Sequence, residues 1–248
     1  MTIARELARH IAQTNFSDLP PDVIGHTKMC ILDLIGAALP AVGHGLVQML
    51  REVLEGSGGE CTIIGDGAKN SCLNAALING TMAYVMKLDQ SSPRGSMVHP
   101  QPQMIPAALA VAEKEGLGGR DLITGVFLGF EIAVRVALAV NPSHEGERGF
   151  HGTGTCGTFG AATAAGKLLQ LNEDQMVNAL GLAGTQAAGF TASFETFARS
   201  LHAGKAAYNG ILAAMLAKKG FTGAETIFEA RDGFCHATTD RYDLGPLT

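Results

Sequence analysis

Tryptophan is absent from this sequence and tyrosine occurs only three times. Nucleic-acid-binding proteins stack bases on such rings. A formal net charge of −5 with no basic cluster removes the electrostatic footprint as well, so no nucleic-acid partner is expected. Cys30, Cys61, Cys72, Cys156 and Cys235 form no C-x-x-C pair, and their number is odd and their spacing irregular. Neither a disulfide framework nor a zinc or iron–sulfur site is indicated, and buried free thiols in a reducing, cytoplasmic setting are the simplest account. Apolar runs are broken by Gly, Glu, Arg or Lys short of the ~18 residues of a membrane span, so no membrane partner is expected. The N-terminus lacks the apolar core of a signal peptide. Charged residues make up only 17% of the chain against 46% apolar, which predicts a surface partly covered by another subunit or domain.

What is present is helical periodicity. Ile3, Leu7 and Ile11 share one face over residues 3–13. After Leu19-Pro20-Pro21-Asp22, a helix is expected to about Leu39. Its apolar positions Val23, Ile24, Met29, Ile31, Leu32, Leu34 and Ile35 cover most of the circumference and predict deep burial. Further helices are expected over 44–55, 71–88, 103–115, 120–140, 155–170, 173–188 and 202–219, several of them rich in Gly and Ala. Only residues 58–67 read as strand, and there is no strand–helix alternation, so the fold class is all-α. The helical domain spans 1–236. Residues 237–248 read as a polar tail, either a disordered terminus or a lead into a following domain.

Three histidines stand beside helix-breaking residues and ahead of small-residue helices: Val98-His99-Pro100, Phe150-His151-Gly152 and Leu201-His202-Ala203-Gly204. Histidine titrates near neutral pH and suits proton transfer. Each alone is ordinarily a cap or a satisfied core residue, so the case for a polar pocket rests on the three together. Asp89 opens the loop that ends at His99 and forms an acid/base pair with it if the loop folds back; an ordinary helix end is the alternative. The run Gly152-Thr-Gly-Thr-Cys-Gly-Thr-Phe-Gly160 enters a helix, offering backbone N–H groups to an anion or simply close packing. It is not a nucleotide-binding loop. Lys87, Arg94, Arg148, Arg199 and Lys205 together suit a substrate with several carboxylates, although each singly reads as a solvated helix end. His144 and His236 have no supporting neighbours in sequence and read as surface residues, and His10 and His26 as structural ones.

These segments resemble the MmgE/PrpD family of 2-methylcitrate dehydratases, cis-aconitate decarboxylases and an iminodisuccinate epimerase. The likeness runs through Asp18-Leu-Pro-Pro-Asp-Val, Leu32-Asp-Leu-Ile-Gly, Asn79-Gly80, His99-Pro100, Gly149-Phe-His151, Leu201-His202-Ala-Gly and Gly220-Phe-Thr-Gly. The resemblance implies a large helical domain carrying most of the active site, a second α+β domain following it in proteins roughly twice this length, a homodimer, and no metal or organic cofactor. A separately encoded C-terminal domain is the alternative partner. The family's Asp-Phe-Asp-Asp-Thr motif aligns with Lys87-Leu88-Asp89-Gln90-Ser91, keeping only Asp89 and a hydroxyl at Ser91, and Arg199 stands where the family has lysine.

The resemblance therefore implies a lyase acting on a small di- or tricarboxylate. Asp89, His99 and His151 are its catalytic candidates. Ser91, Arg199, His202 and Lys205 are its substrate-binding candidates. Dehydration of a 2-methylcitrate-like hydroxy acid comes first, with decarboxylation or epimerisation needing similar groups. A non-catalytic or split-enzyme subunit and a generic carboxylate-binding module are the readings of a different class.

Overall fold

The computed structural model describes residues 1–55, 58–88 and 95–248. Ten α-helices are found among them: α1 (Ile3–Gln13), α2 (Pro21–Ala38), α3 (Gly45–Val53), α4 (Cys72–Val85), α5 (Gln101–Glu115), α6 (Gly119–Val140), α7 (Gly152–Leu168), α8 (Glu173–Gly184), α9 (Ala198–Lys218) and α10 (Phe234–Thr238). The all-α expectation holds. The strand-like stretch is one arm of a two-residue hairpin, Cys61–Thr62 paired antiparallel with Lys69–Asn70. The second arm lacks the β-branched residues that mark a strand in sequence.

The centre is a layer of α4, α5, α7 and α9, with α6 and α8 packed on α7 and with α8 also on α9. Small residues set the spacing. A side-chain carbon on Gly80 would sit 2.9 Å from the Cα of Gly204, so α4 and α9 cross backbone to backbone. A carbon on Gly129 would likewise lie 2.9 Å from the carbonyl of Gly160 where α6 meets α7. Helix backbones this close exchange many weak contacts at low side-chain entropy cost. All sixteen residues of Gly152–Leu168 other than Lys167 are buried. This seam holds the site described below.

Three expectations change. The α2 helix is not deeply buried: Cys30, Leu34, Ala37 and Ala38 face the core, while Met29 is 68% and Leu32 71% exposed. It lies at the edge of the bundle and touches α4, α5 and α6 from one side only. The polar tail is packed. Leu247 is fully buried, the Asp243 N–H donates to the Ala139 carbonyl at 2.8 Å, and Arg135 Nη1 donates to the Pro246 carbonyl at 3.4 Å. Two helical stretches, Pro21–Ala41 and Gly119–Val140, do reach the length and apolarity of a membrane crossing, because isolated charges and glycines interrupt the apolar runs without breaking the helices. In α6 most of that length is buried against α5 and α7.

Candidate functional site

The side chains of the site come from the C-terminal turn of α4, the segment before α5, the N-terminus of α7 and the first turns of α9. Tyr84, buried near the end of α4, is the meeting point. Its hydroxyl lies 3.3 Å from His151 Nε2. The His99 ring meets the Tyr84 ring edge-on at 5.4 Å, and the Arg199 guanidinium lies 5.7 Å from the centre of the same ring. His151 Nδ1 is 3.0 Å from His202 Nδ1. Arg199 and His202 share a face of α9 because residues three apart are neighbours on a helix.

Local structure fixes these rings. His151 caps α7, its carbonyl accepting the N–H groups of Gly154 and Thr155 at 2.9 and 3.0 Å, and its own N–H donates to the Gly189 carbonyl at 3.0 Å. The Thr191 N–H donates to the Gly149 carbonyl at 2.8 Å, so the 189–194 loop is strapped to the strand-like residues before α7. Phe194 on that loop meets His151 edge-on at 4.8 Å, and the Arg199 guanidinium lies 4.5 Å from its ring centre. Gly189, with φ +136°, runs so close to His202 that a side-chain carbon there would sit 3.2 Å from the imidazole. The His99 N–H donates to Thr153 Oγ1 at 3.2 Å.

Burial disfavours charge on the His151 and His202 imidazoles. His151 is held down to about 3, first by burial and then by the neighbouring His202, Arg199 and His99. His202 is lowered by burial. Both are neutral imidazoles at pH 7, able to take a proton at one nitrogen and give one at the other. Arg199 keeps a buried Nε with no hydrogen-bond acceptor among the described residues.

The structure thus brings His99, His151, Arg199 and His202 together. Lys205 does not join them: it is exposed, and its ammonium lies 4.0 Å from the centre of its helix neighbour Tyr208. Asp89 and Ser91, with Arg94, lie outside the described residues. The glycine run is not an open anion cradle. It forms the first turns of α7, and its leading N–H is taken by the chain itself: Gly152 donates to Glu145 Oε2 at 2.9 Å. The Glu145 carboxyl is raised by burial, against the opposing pull of that hydrogen bond and of His99 and Arg199.

His144 is not a surface residue. It is fully buried, with Nδ1 2.9 Å from Thr238 Oγ1 and Nε2 2.7 Å from Thr155 Oγ1. Tyr84, Glu145 and Phe194 were not singled out in sequence. Tyr84 alone carried a signal, as one of three tyrosines in the chain and the single large polar ring in a helix otherwise built of small and aliphatic residues. The five cysteines are all free and buried, and no group of three or more potential metal-ligating side chains of the histidine, cysteine and carboxylate kind occurs among the described residues.

The chain matches the MmgE/PrpD N-terminal domain over residues 5–246. Among curated proteins it is 29% identical over 241 residues to the cis-aconitate decarboxylase-like protein oryM of Aspergillus oryzae, covering 93% of this chain and 50% of that protein. It is 30% identical to a cis-aconitate decarboxylase of Aspergillus terreus, with 93% and 49% covered. Against human cis-aconitate decarboxylase it is 27% identical, with 94% and 50% covered. The chain spans about half the length of these relatives. With the match running through every helix that carries the site, the chain belongs to the MmgE/PrpD family.

Proposed function

We propose that this domain supplies the proton-transfer and carboxylate-holding half of a lyase acting on a small tricarboxylate, and that the reaction is decarboxylation of a cis-aconitate-like substrate. The observation that carries the reading is the cluster around Tyr84: neutral His151 and His202 with His99 beside them, and a guanidinium whose buried Nε has no acceptor among the described residues. An arginine in that state suits a carboxylate, which it binds by charge-assisted hydrogen bonds. The sequence resemblance favours dehydration first, whereas the relatives, named as cis-aconitate decarboxylases or decarboxylase-like, favour decarboxylation.

The chemistry asks little beyond these groups. Loss of carbon dioxide from an unsaturated tricarboxylate leaves an electron pair spread over the double bond and a neighbouring carboxylate. Arg199 stabilises that charge, and a histidine delivers a proton to carbon. Dehydration needs the same two functions in a different order. A substrate with three negative charges also raises the proton affinity of every imidazole it approaches.

Proton NMR of the purified, helical chain in D2O with cis-aconitate, citrate and 2-methylcitrate tests this. The expected result is conversion of cis-aconitate to a dicarboxylate carrying deuterium at carbon. Formation of an unsaturated tricarboxylate from a hydroxy acid favours dehydration instead. No reaction and no exchange with any of the three overturns the catalytic reading and assigns the chain a subunit role.

A further inference from the structure

We propose that Tyr84, His151 and His202 form a directional proton relay: the Tyr84 hydroxyl donates to His151 Nε2, His151 Nδ1–H donates to His202 Nδ1, and His202 Nε2–H is the bond that exchanges its proton with substrate carbon. This reverses the roles that the sequence suggests for the two histidines, and for its substrate it rests on the tricarboxylate reading.

Accessibility is the first argument. His151 is 2% exposed and both of its ring nitrogens are engaged, one by Tyr84 and one by His202. It has no nitrogen left to offer a substrate. His202 is part-exposed, its Nδ1 is committed to His151, and its Nε2 makes no hydrogen bond among the described residues. The substrate-facing nitrogen is therefore on α9, beside Arg199 at the spacing of one helical turn.

Direction is the second argument. The two Nδ1 atoms are 3.0 Å apart, and when both rings are neutral one must carry a hydrogen and the other a lone pair. The choice is coupled to the Tyr84 contact. A phenol is a stronger acid than a neutral imidazole N–H, so it is the better donor of the pair. The Arg199 cation over its ring sharpens that preference by stabilising the phenolate side of the bond. Phenol donation to Nε2 places the His151 hydrogen on Nδ1, and this leaves the His202 hydrogen on Nε2.

The proton balance closes without an imidazolium. As His202 Nε2–H breaks and the carbon–hydrogen bond forms, the His151 Nδ1 hydrogen moves to His202 Nδ1, and the Tyr84 hydrogen moves to His151 Nε2. The negative charge that began on carbon ends on the Tyr84 oxygen near Arg199. Water reprotonates the relay from the part-exposed His202 end after product leaves. A site that disfavours charged imidazoles suits a relay that never makes one.

Nitrogen-15 NMR of histidine-labelled chain reads tautomers directly and needs no substrate. At pH 7 the expected pattern is hydrogen on Nδ1 of His151 and on Nε2 of His202, with the His151 preference lost in Tyr84→Phe, a change that keeps the ring. Hydrogen on Nε2 of His151, or a pattern unchanged in Tyr84→Phe, overturns the relay. The second arm follows solvent deuterium entering cis-aconitate and its product. His202→Asn should abolish it, and Tyr84→Phe should lower it by about 100-fold while leaving substrate-induced shifts at Arg199 intact. Exchange at the normal rate in either variant overturns the assignment. An unsubstituted chain with the expected tautomers and no exchange removes the substrate-facing role of His202 together with the tricarboxylate reading, whereas wrong tautomers with working exchange remove the relay alone.

Discussion

His144 and His151 both lie in the segment that leads from α6 into α7 and are both buried, yet they do different things. His144 is held down to about 4 by burial, and His151 to about 3. By exposure and titration alone they are indistinguishable candidates. Their hydrogen bonds separate them. His144 sits between two threonine hydroxyls, Thr155 and Thr238, and stacks on Phe150 at 4.9 Å. Neither hydroxyl leads to a second imidazole ring: Thr155 turns to the His151 carbonyl at 3.1 Å and the buried Cys156 sulfur at 3.8 Å, and Thr238 donates to the Phe234 carbonyl at 2.7 Å. His151 instead connects a phenol to a second, part-exposed imidazole. A depressed imidazole is thus a structural cross-link or a catalytic relay according to what lies beyond its two nitrogens. His144 ties α10 to the first turn of α7, and Thr155 reaches the His151 carbonyl at 3.1 Å, so the cross-link supports the relay.

The sharpest way to break the comparison is to remove each ring's partner. His144→Ala removes a ring that bridges the buried Thr155 hydroxyl and the part-buried Thr238 hydroxyl and opens a cavity, so a loss of about 3 kcal/mol in urea-unfolding stability is expected. Tyr84→Phe removes the hydrogen bond to His151 and keeps the ring, so its stability should fall by only about 1 kcal/mol while the His151 tautomer changes. Equal losses from the two substitutions would erase the distinction.

Acid should expose the same cross-link. The folded value of His144 lies below the ~6.5 of a free imidazole. Between those values the unfolded chain binds more protons than the folded one. The contribution of His144 is therefore complete above about pH 6.5 and is lost as the pH falls toward about 4, a change of about 3 kcal/mol at 1.36 kcal/mol per unit. His144→Gln should flatten that part of the stability–pH curve, measured by denaturant titration at fixed pH values. A curve of unchanged slope would show that the imidazole is already protonated in the fold.

Gly189→Ala should act on the relay and spare the cross-link. Its φ of +136° is one that side chains rarely adopt, and the new carbon would press on His202 Cγ and Nδ1 at 3.2 Å. A destabilisation of about 2 kcal/mol is expected from backbone strain. The His202 nitrogen signals should shift while those of His144 stay in place. Movement of both would mean that the two histidines share one packing unit.

Much of this was legible in the sequence, and the failures have a common cause. Helices over α1 and α4–α9 follow from apolar spacing and Gly/Ala composition, both local signals. The cluster of His99, His151 and His202 showed because each stands beside a helix boundary. The misread residues depend on distant partners. Met29 and Leu32 are as apolar as Leu34, but only one side of α2 finds neighbours. His144 looked solitary because its partner Thr238 lies 94 residues away. The N–H groups of Gly152, Gly154 and Thr155 read as available because nothing in the sequence says that Glu145 and the His151 carbonyl will claim them.

The smallest expected effect concerns Lys205, which lies close in sequence to Arg199 and His202. Both cations lie on α9, but they have different surroundings. Arg199 stacks between Phe194 and Tyr84 with its Nε enclosed, whereas the Lys205 ammonium covers Tyr208 and is exposed to solvent. An exposed cation–π contact is worth about 0.5–1 kcal/mol, and a methionine keeps most of the apolar stem over the ring. Lys205→Met should therefore change stability by about 0.5 kcal/mol or less and leave tricarboxylate-induced shifts at His202 unaltered. Arg199→Met, by contrast, should abolish those shifts. A Lys205 variant that weakens tricarboxylate binding as strongly as the Arg199 variant would mean that the lysine swings off Tyr208 when substrate arrives, and would extend the anion-holding face of α9 by a full turn.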